Sequence, residues 1–188
     1  MNILIINHYA GSPYYGMEFR PYYLAREWVK QGHNVTIIAA SFSHLRQHNP
    51  KVVKDFQEEN IEGIKYVWFK TPEYGGSLAR IRNMMTFVWK LKKNDKRIAK
   101  DYKPNLVIAG SCYPLDNYSA HKIAKLAGAK YTYEVRDIWP LSPMLIGGYS
   151  KYHPFIWVMQ KAEDYAYKHV DKIVSLLWNA EGHMLEHG

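Results

Sequence analysis

The 188-residue sequence contains a single cysteine, Cys112. One thiol excludes an intramolecular disulfide and offers none of the paired-cysteine spacings of zinc sites. The nine histidines form neither an HExxH helix nor a Cys/His pattern, so the sequence predicts no metal and no cofactor. Cys112 follows an apolar run in GSCYP, where it is either a nucleophile assisted by His8 or a partly buried, inert thiol.

Long apolar runs are also missing. No stretch reaches the length of a membrane-spanning helix, and the start, MNILIINHY, is too short and lacks the basic segment of a signal peptide. Hydrophobic residues make up 47% of the chain and charged residues 22%, an ordinary globular balance. The sequence therefore predicts a soluble or peripheral protein, and the lone cysteine favours the cytoplasm.

The loop after the first apolar run, HYAGSPYYGMEFRP, contains neither common phosphate-binding motif. Gly11 and Gly16 are too far apart for G-x-G-x-x-G, and Met17 and Glu18 stand where a P-loop has its lysine and hydroxyl residue. A simpler role remains: Gly16 lets a ligand approach the backbone, and the N–H groups of Met17, Glu18 and Phe19 begin a helix whose positive end attracts an anion. The alternative is that both glycines only form turns.

Positive charge and aromatic side chains are abundant. The formal net charge is +8, and the chain has 16 tyrosines and 6 tryptophans. The charge predicts an anionic partner, which would be nucleic acid, anionic lipid or a phosphorylated substrate. Tyrosine and tryptophan favour ligand clefts and wet interfaces because each has an apolar body and a polar tip.

Apolar runs and amphipathic stretches alternate along the chain. Strands are predicted at 2–7, 34–40, 63–71, 105–110, 131–135 and 172–176, the third of them more exposed, and helices at about 19–31, 78–100, 116–127, 154–169 and from 180 onward. This order predicts a doubly wound, mostly parallel, Rossmann-like α/β sheet formed by one domain over residues 1–188. Asp116 or Asn117 is expected to cap its helix, and 41–60 is expected to be a long, partly mobile loop.

The sharpest feature is YEVRDIWP, which places Glu134, Arg136, Asp137 and Trp139 at the end of a buried strand. Ligands of doubly wound sheets bind beyond the carboxyl ends of the strands. Ionised groups there are costly unless they are paired or used, so Arg136 and Asp137 form either a structural ion pair or part of a functional site. The following segment, 140–153, is expected to be a mobile binding loop.

Three segments together resemble a known family: MNILIINHYAGSPYYGMEFRPYYLAREWVKQGHNVTIIAASFSHLR, YEVRDIWP and KIVSLLWNAEGHMLEHG. They look like the N-terminal half of retaining glycosyltransferases of family 4, and more closely like the N-acetylfucosamine transferases of bacterial capsule and O-antigen synthesis. The resemblance spans essentially the whole chain. The combination of GM-E-x-RPYYLA with E-x-RD-x-WP is specific to that branch.

The resemblance implies a GT-B architecture, in which two Rossmann-like domains face each other across a cleft. The N-terminal domain binds the acceptor, and the C-terminal domain, absent from these 188 residues, holds the nucleotide-sugar, here expected to be a UDP-sugar. The chain ends within the apparent helix HMLEHG, which is expected of an excised domain, with a frayed natural terminus as the alternative. The fragment alone is therefore expected to be inactive.

The resemblance also implies residue roles. The expected acceptor is a polyprenyl-diphosphate-linked sugar, which would place the protein at the inner face of the bacterial plasma membrane. The assigned residues are Arg136 and Asp137 as catalytic, Gly16, Met17 and Glu18 at the donor diphosphate, and Tyr15, Arg20 and Trp139 at the acceptor.

The helix predicted over 78–100 suits membrane contact. Trp89 falls at the border of its apolar stripe, beside Arg82, Lys93 and Lys96, and an aromatic flanked by cations is typical of an interfacial helix. The alternative is that the apolar stripe packs on the sheet and the cations only face solvent.

Two other classes of function remain open on the residues. A non-catalytic module could bind an anionic glycan or nucleic acid, but it would need a contiguous basic face, whereas the basic residues are spread over several segments. The sequence therefore predicts no nucleic-acid partner. A small NAD or flavin enzyme is disfavoured because the dinucleotide fingerprint is missing.

Overall fold

The computed structural model describes residues 1–188. Its seven strands and six α-helices alternate along the chain, and a short 3-10 turn, Pro114–Asp116, precedes the third helix. In order they are β1 (Asn2–Ile6), α1 (Arg20–Lys30), β2 (Asn34–Ala40), β3 (Gln57–Ile61), β4 (Ile64–Phe69), α2 (Ser77–Tyr102), β5 (Leu106–Ala109), α3 (Asn117–Ala127), β6 (Lys130–Val135), α4 (Leu141–Gly147), α5 (Pro154–His169), β7 (Lys172–Ser175) and α6 (Glu181–His187).

All seven strands form one sheet in the order β3-β4-β2-β1-β5-β6-β7. Every neighbouring pair is parallel except β3 with β4, which is antiparallel. The chain moves outward from β1 in both directions, so the strand order reverses between β1 and β5. The predicted doubly wound, mostly parallel sheet is confirmed. The loops after β1, β5 and β6 all begin at the carboxyl edge of this sheet, where ligands bind in doubly wound folds.

Two apolar layers cover the sheet because successive side chains of a strand point to opposite faces. In β1, Leu4 and Ile6 belong to a cluster of 20 buried residues shared with α2, α3 and α5. Ile3 and Ile5 belong to a cluster of 13 buried residues shared with α1. Burial on both faces explains why the strands are continuous apolar runs without alternation.

Three predictions about local structure are wrong. The segment 41–60 is not simply a loop, because its last residues form β3, a polar edge strand paired with β4. The β4 strand is buried rather than exposed, since Tyr66 and Trp68 pack into one layer while Val67 and Phe69 pack into the other. The predicted loop over 140–153 contains α4.

The helix ends differ from expectation in one respect. Asp116 occupies the N-cap of α3 but its side chain makes no capping hydrogen bond, and the Asn117 amide donates to the Pro114 carbonyl at 2.9 Å.

None of the helices combines the length and the apolar content needed to cross a bilayer.

Candidate active-site cleft

Two ion pairs join the loop after β1 to the end of β6. Arg20, the first residue of α1, donates through Nε to the Glu134 carboxylate, and Arg136 donates through Nη2 to the Glu18 carboxylate. Glu134 is buried, and the side chains of Arg136 and Glu18 are only 12% and 18% exposed. The structure thus brings three of the predicted site residues together at the carboxyl edge of the sheet: Glu18, Arg20 and Arg136.

Arg136 and Asp137 do not pair with each other, so the expected structural ion pair between them is absent. Asp137 Oδ1 instead accepts a hydrogen bond from Ser142 Oγ in the first turn of α4. This bond fixes the orientation of the carboxylate while its other oxygen makes no hydrogen bond within the chain.

Two buried donors of this edge have no hydrogen-bond partner: Nη1 of Arg136 and Nε1 of Trp139. A buried donor left without an acceptor costs about 1 to 3 kcal/mol. Both groups belong to the E-x-RD-x-WP segment that the sequence singles out. Donors without a partner at the ligand edge of a doubly wound sheet can donate hydrogen bonds to the oxygen atoms of a bound ligand.

A cleft of about 380 Å³ opens between the end of β6, α2 and α4, within the size range of small-molecule sites. Its lining is mainly apolar, with a few polar groups. The lining residues are Tyr9, Ser77, Arg80, Ile81, Met84, Cys112, Tyr113, Asp137, Trp139, Ser142, Pro143, Ile146, Gly147, Tyr149 and Phe155.

Arg80 is a cleft residue that the sequence analysis missed. It lies in the first turn of α2, and its guanidinium sits 5.8 Å from the centre of the Tyr9 ring. A cation near a helix N-terminus opposes the helix dipole. Arg80 in the first turn is therefore suited to an anionic ligand, but only the fold shows that this helix begins beside the cleft.

The glycines of the loop after β1 shape the loop itself. Gly16 has a φ of +94°, and a Cβ there would lie 2.8 Å from the Gln47 nitrogen. A Cβ on Gly11 would lie 1.9 Å from the Gly16 carbonyl oxygen. The N–H of Gly16 donates to Ser12 at 2.8 Å. The expectation that Gly16 offers open backbone to a ligand is therefore wrong, because packing within the loop occupies it.

The N–H groups at the start of α1 are only partly free. Glu18 donates its N–H to the Tyr9 carbonyl at 3.3 Å, whereas the N–H groups of Met17 and Phe19 donate to no group of the chain. The predicted anion-binding set of Gly16, Met17 and Glu18 thus reduces to Met17, with Phe19 beside it. Glu18 contributes its carboxylate to Arg136 instead.

The family model of the "Glycosyl transferase 4-like domain" matches residues 15–188 of this chain. The chain belongs to this family. Comparison with curated proteins gives no significant match.

Two solved structures share the fold of this glycosyltransferase 4-like domain. Sucrose-phosphate synthase from Thermosynechococcus elongatus superposes with a TM-score of 0.66 at 10% identity, over 98% of this chain and 44% of that one. The Arabidopsis thaliana UGT89C1 complexed with UDP superposes with a TM-score of 0.53 at 13% identity, over 98% of this chain and 47% of that one. The domain matches a Rossmann-like half of a GT-B glycosyltransferase and spans less than half of either chain.

Tyr15 of the domain is not placed to contact an acceptor. Its side chain is buried, its hydroxyl donates to Glu59 at 2.8 Å, and its ring packs edge-on against Trp68. Burial and the neighbouring carboxylate raise the pKa of Tyr15 above its ordinary value. We therefore do not propose Tyr15 as an acceptor contact.

Cys112 lines the cleft as an inert thiol. Burial raises its pKa to about 11, so the thiolate is scarce near neutral pH. His8 does not assist it, because His8 Nδ1 is 2.6 Å from the Tyr113 hydroxyl. Burial, with Arg46 nearby, lowers the pKa of His8 to about 3, so this histidine stays neutral.

We expect Gly16→Ala to destabilise the domain more than Gly32→Ala does. Both glycines have positive φ, but a Cβ on Gly32 meets nothing within 4 Å. The conformational strain, about 1 kcal/mol, is common to both variants, and the contact with Gln47 adds roughly 1 to 3 kcal/mol only at Gly16. Urea unfolding of both variants measures the difference; equal losses would contradict tight packing around Gly16.

Proposed function

We propose that this chain is the acceptor-binding half of a retaining, N-acetylfucosamine transferase-like glycosyltransferase. It would take part in moving a sugar from a UDP-sugar to a polyprenyl-diphosphate-linked saccharide during synthesis of a bacterial capsule or O-antigen. The observation that carries the proposal is the cleft at the carboxyl edge of the sheet, lined by Trp139 with its unsatisfied Nε1, and the unsatisfied Nη1 of Arg136, the neighbour of the lining residue Asp137, in a chain that belongs to the glycosyltransferase 4-like family.

The residues around the cleft suit the charge that develops during transfer. Departure of a nucleoside diphosphate places negative charge on its leaving oxygen, and fixed donors stabilise such charge without reorganisation. We assign this role to Arg136, held by Glu18, and to the free N–H of Met17. The charge of Arg20 is already balanced by the buried Glu134, which favours a role in positioning the loop.

The acceptor would occupy the cleft itself. We assign Trp139 to the sugar face, because an indole ring stacks on apolar sugar surfaces. Asp137, oriented by Ser142, would accept a hydrogen bond from the acceptor hydroxyl and hold it beside the leaving phosphate. Arg80 would pair with the acceptor's diphosphate, since it is the one cationic side chain in the cleft lining.

A second domain would hold the nucleotide-sugar. Both solved relatives are more than twice as long as the part that this chain covers. The Arabidopsis protein is complexed with UDP, which supports a UDP-sugar as donor here. The 188 residues alone would then bind the acceptor without turnover.

The test compares the full reading frame that encodes this domain with the 188-residue form. UDP release is measured with a panel of UDP-sugars, with and without lipid extract from bacterial membranes. Lipid-dependent UDP release by the long form alone is the expected result. A long form that is folded yet silent with every donor, or a reading frame without a second domain, would refute the proposal and favour a non-catalytic glycan-binding module.

We expect Arg136→Gln to lower kcat/KM of the long form roughly 100-fold, the usual effect of removing one fixed donor from developing charge. Glu18→Gln should lower it less, because the arginine remains. Arg26→Gln is the matched control, since Arg26 lies on α1 but pairs only with the exposed Glu27. Steady-state kinetics measure the effect, with unfolding curves as a check. An Arg136 variant that lost stability but kept its kcat/KM would return Arg136 to a structural role.

The exposed face of α2 supports the proposed contact with an anionic membrane. Met85 on the apolar stripe of this helix is 47% exposed, whereas Met84 is buried and Ile81 lines the cleft. Trp89 is 57% exposed, and Lys93 Nζ lies 5.0 Å from the centre of its ring. Arg82 and Lys96 are exposed on the same helix. Apolar side chains flanked by cations suit the interface of a bilayer, here the inner face of the plasma membrane.

We expect Lys93→Gln with Lys96→Gln to weaken binding to phosphatidylglycerol vesicles roughly 30-fold at low salt. Each cation near an anionic surface contributes about 1 kcal/mol. The matched control is Arg26→Gln with Lys30→Gln on α1, which covers the opposite face of the sheet. Vesicle co-sedimentation measures the affinities. Equal losses in both double variants would show that net charge alone, and not the α2 face, mediates binding.

A further inference from the structure

Helix α6 docks on α5 through two histidine–carboxylate contacts. His183 and His187 are four residues apart and therefore share one face of α6. His183 Nε2 lies 3.1 Å from Glu163 Oε2, and His187 Nδ1 lies 2.9 Å from Asp164 Oδ1. None of these four residues lines the cleft described above.

The ligand atoms of this cluster converge on one small volume. Single nitrogen or oxygen atoms of Glu163, Asp164 and His187 all lie within 4.8 Å of one another. The Gln160 amide nitrogen sits between them, 3.2 Å from Glu163 Oε2, 2.7 Å from Asp164 Oδ1 and 2.9 Å from His187 Nδ1. A zinc ion, with bonds of about 2.0 to 2.2 Å to nitrogen and oxygen ligands, fits this centre once the flexible glutamine side chain rotates aside.

The charge of the cluster favours a cation. Glu163 is completely buried. No lysine or arginine forms an ion pair with Glu163 or Asp164, whose only such contacts are with the two histidines. A buried carboxylate without a permanent cation is unfavourable beside a second carboxylate, here that of Asp164, whose side chain is 44% exposed. A divalent cation would neutralise both of them.

The hydrogen bond from Tyr167 leaves the Oε2 atom of Glu163 available to a metal ion. The Tyr167 hydroxyl donates to Oε1 of Glu163 at 3.0 Å, which orients the carboxylate and leaves Oε2 toward His183. Hydrogen bonds of this kind commonly fix metal ligands in position. A mixed set of imidazole and carboxylate ligands favours zinc over magnesium or calcium, which prefer oxygen ligands alone.

We propose that Glu163, Asp164 and His187 form a zinc site that fastens α6 to α5, with His183 beside it against Glu163. The sequence predicted no metal because the ligands follow neither the HExxH nor the cysteine spacing. The two pairs are about 20 residues apart along the chain, separated by β7, and only the fold unites them. The available signal was an His-x-x-x-His face downstream of an adjacent Glu-Asp pair.

The test is zinc titration of the chelator-treated 188-residue protein by calorimetry, followed by cobalt substitution and visible absorption. We expect one zinc per chain with a dissociation constant below about 1 μM, a rise in Tm on zinc addition, and cobalt bands typical of low coordination number. Magnesium should produce none of these effects. Absence of zinc binding to the folded protein at micromolar concentration would overturn the proposal.

Variants locate the site. His187→Ala and Asp164→Asn change partly exposed side chains, and each should weaken zinc affinity roughly 100-fold, since even outer-shell partners are worth about 10- to 100-fold. The matched control is His121→Ala with His169→Ala, a second histidine pair with ring centres 5.0 Å apart, whose hydrogen bonds go to Tyr165. Equal loss in the control would place the zinc elsewhere and refute the assignment.

Discussion

Asp116→Asn should make the domain more stable at pH 8 by roughly 4 kcal/mol while leaving its stability near pH 4 almost unchanged. Asp116 is completely buried at the N-cap of α3, and neither carboxylate oxygen has a well-formed hydrogen bond. Burial raises its pKa from the ordinary 3.8 to about 7, although Ser111 and nearby backbone N–H groups oppose part of this increase.

The direction of this pH effect follows from the number of protons that the folded and the unfolded chain bind. Below pH 3.8 the carboxyl is protonated in both folded and unfolded chains, so it contributes no pH dependence. Between pH 3.8 and about 7 the unfolded chain has lost the proton that the folded chain keeps, so the free energy of unfolding falls as pH rises. Each tenfold change in an ionisation constant corresponds to about 1.4 kcal/mol, which gives the expected total. Asparagine has the same shape and no charge to bury.

Denaturant unfolding at several pH values measures this difference between variant and parent. Asp95→Asn is the comparison, because Asp95 is also buried but has Lys122 Nζ 3.5 Å from its carboxylate. Removing a paired charge should yield a smaller gain or a loss. A difference between Asp116→Asn and the parent that stays constant from pH 4 to pH 8 would show that Asp116 is not held protonated.

Much of the fold follows from the sequence because the parallel strands are buried on both faces. Such strands are continuous apolar runs, and β1 and β2 were recognised on that basis. The polar segment QEENI was missed because β3 is an edge strand, where polar side chains face solvent and only the pairing with β4 makes it a strand. The burial of β4 was missed for a different reason: its two faces are covered by the two apolar layers, which only the tertiary structure brings to them.

The place of the candidate site was predictable, but its contacts were not. The rule that ligands bind beyond the carboxyl ends of parallel strands selects the loops after β1 and β6. Which charges pair is decided by the tertiary structure: Arg136 pairs with Glu18, 118 residues away in the chain, rather than with its neighbour Asp137. Arg80 enters the cleft only because α2 begins beside it. No local pattern in the sequence encodes these distances.

The segment before β3 illustrates how a polar sequence can be buried. Its polarity predicted a mobile loop, yet Arg46 is 6% exposed. The Arg46 guanidinium donates to the Ala10 carbonyl at 2.7 Å and to the Ala40 carbonyl at 2.8 Å, and it stacks over Trp68. Burial lowers its pKa to about 10, so it remains charged at neutral pH. Arg46 therefore connects the loop after β1 to the end of β2.

We expect Arg46→Met to lower the free energy of unfolding by about 3 to 5 kcal/mol. Methionine fills similar space, but the buried carbonyls of Ala10 and Ala40 lose their donor, at about 1 to 3 kcal/mol each. Arg46→Lys should recover only part of the loss, because an ammonium cannot reach both carbonyls with a planar fork. Urea unfolding at neutral pH measures each value.

The control for Arg46 is Arg97→Met on α2. Arg97 also stacks on an aromatic ring, that of Phe56 at 3.8 Å, and bonds Asp101, but its side chain is 57% exposed. Exposed pairs and stacks of this kind contribute under about 1 kcal/mol, so the Arg97 variant should stay close to the parent. If Arg46→Met and Arg97→Met were equally stable, the buried hydrogen bonds of Arg46 would not be the interaction that stabilises the loop after β1. A large loss confined to Arg46→Met would show that the buried hydrogen bonds of Arg46 stabilise the loop after β1.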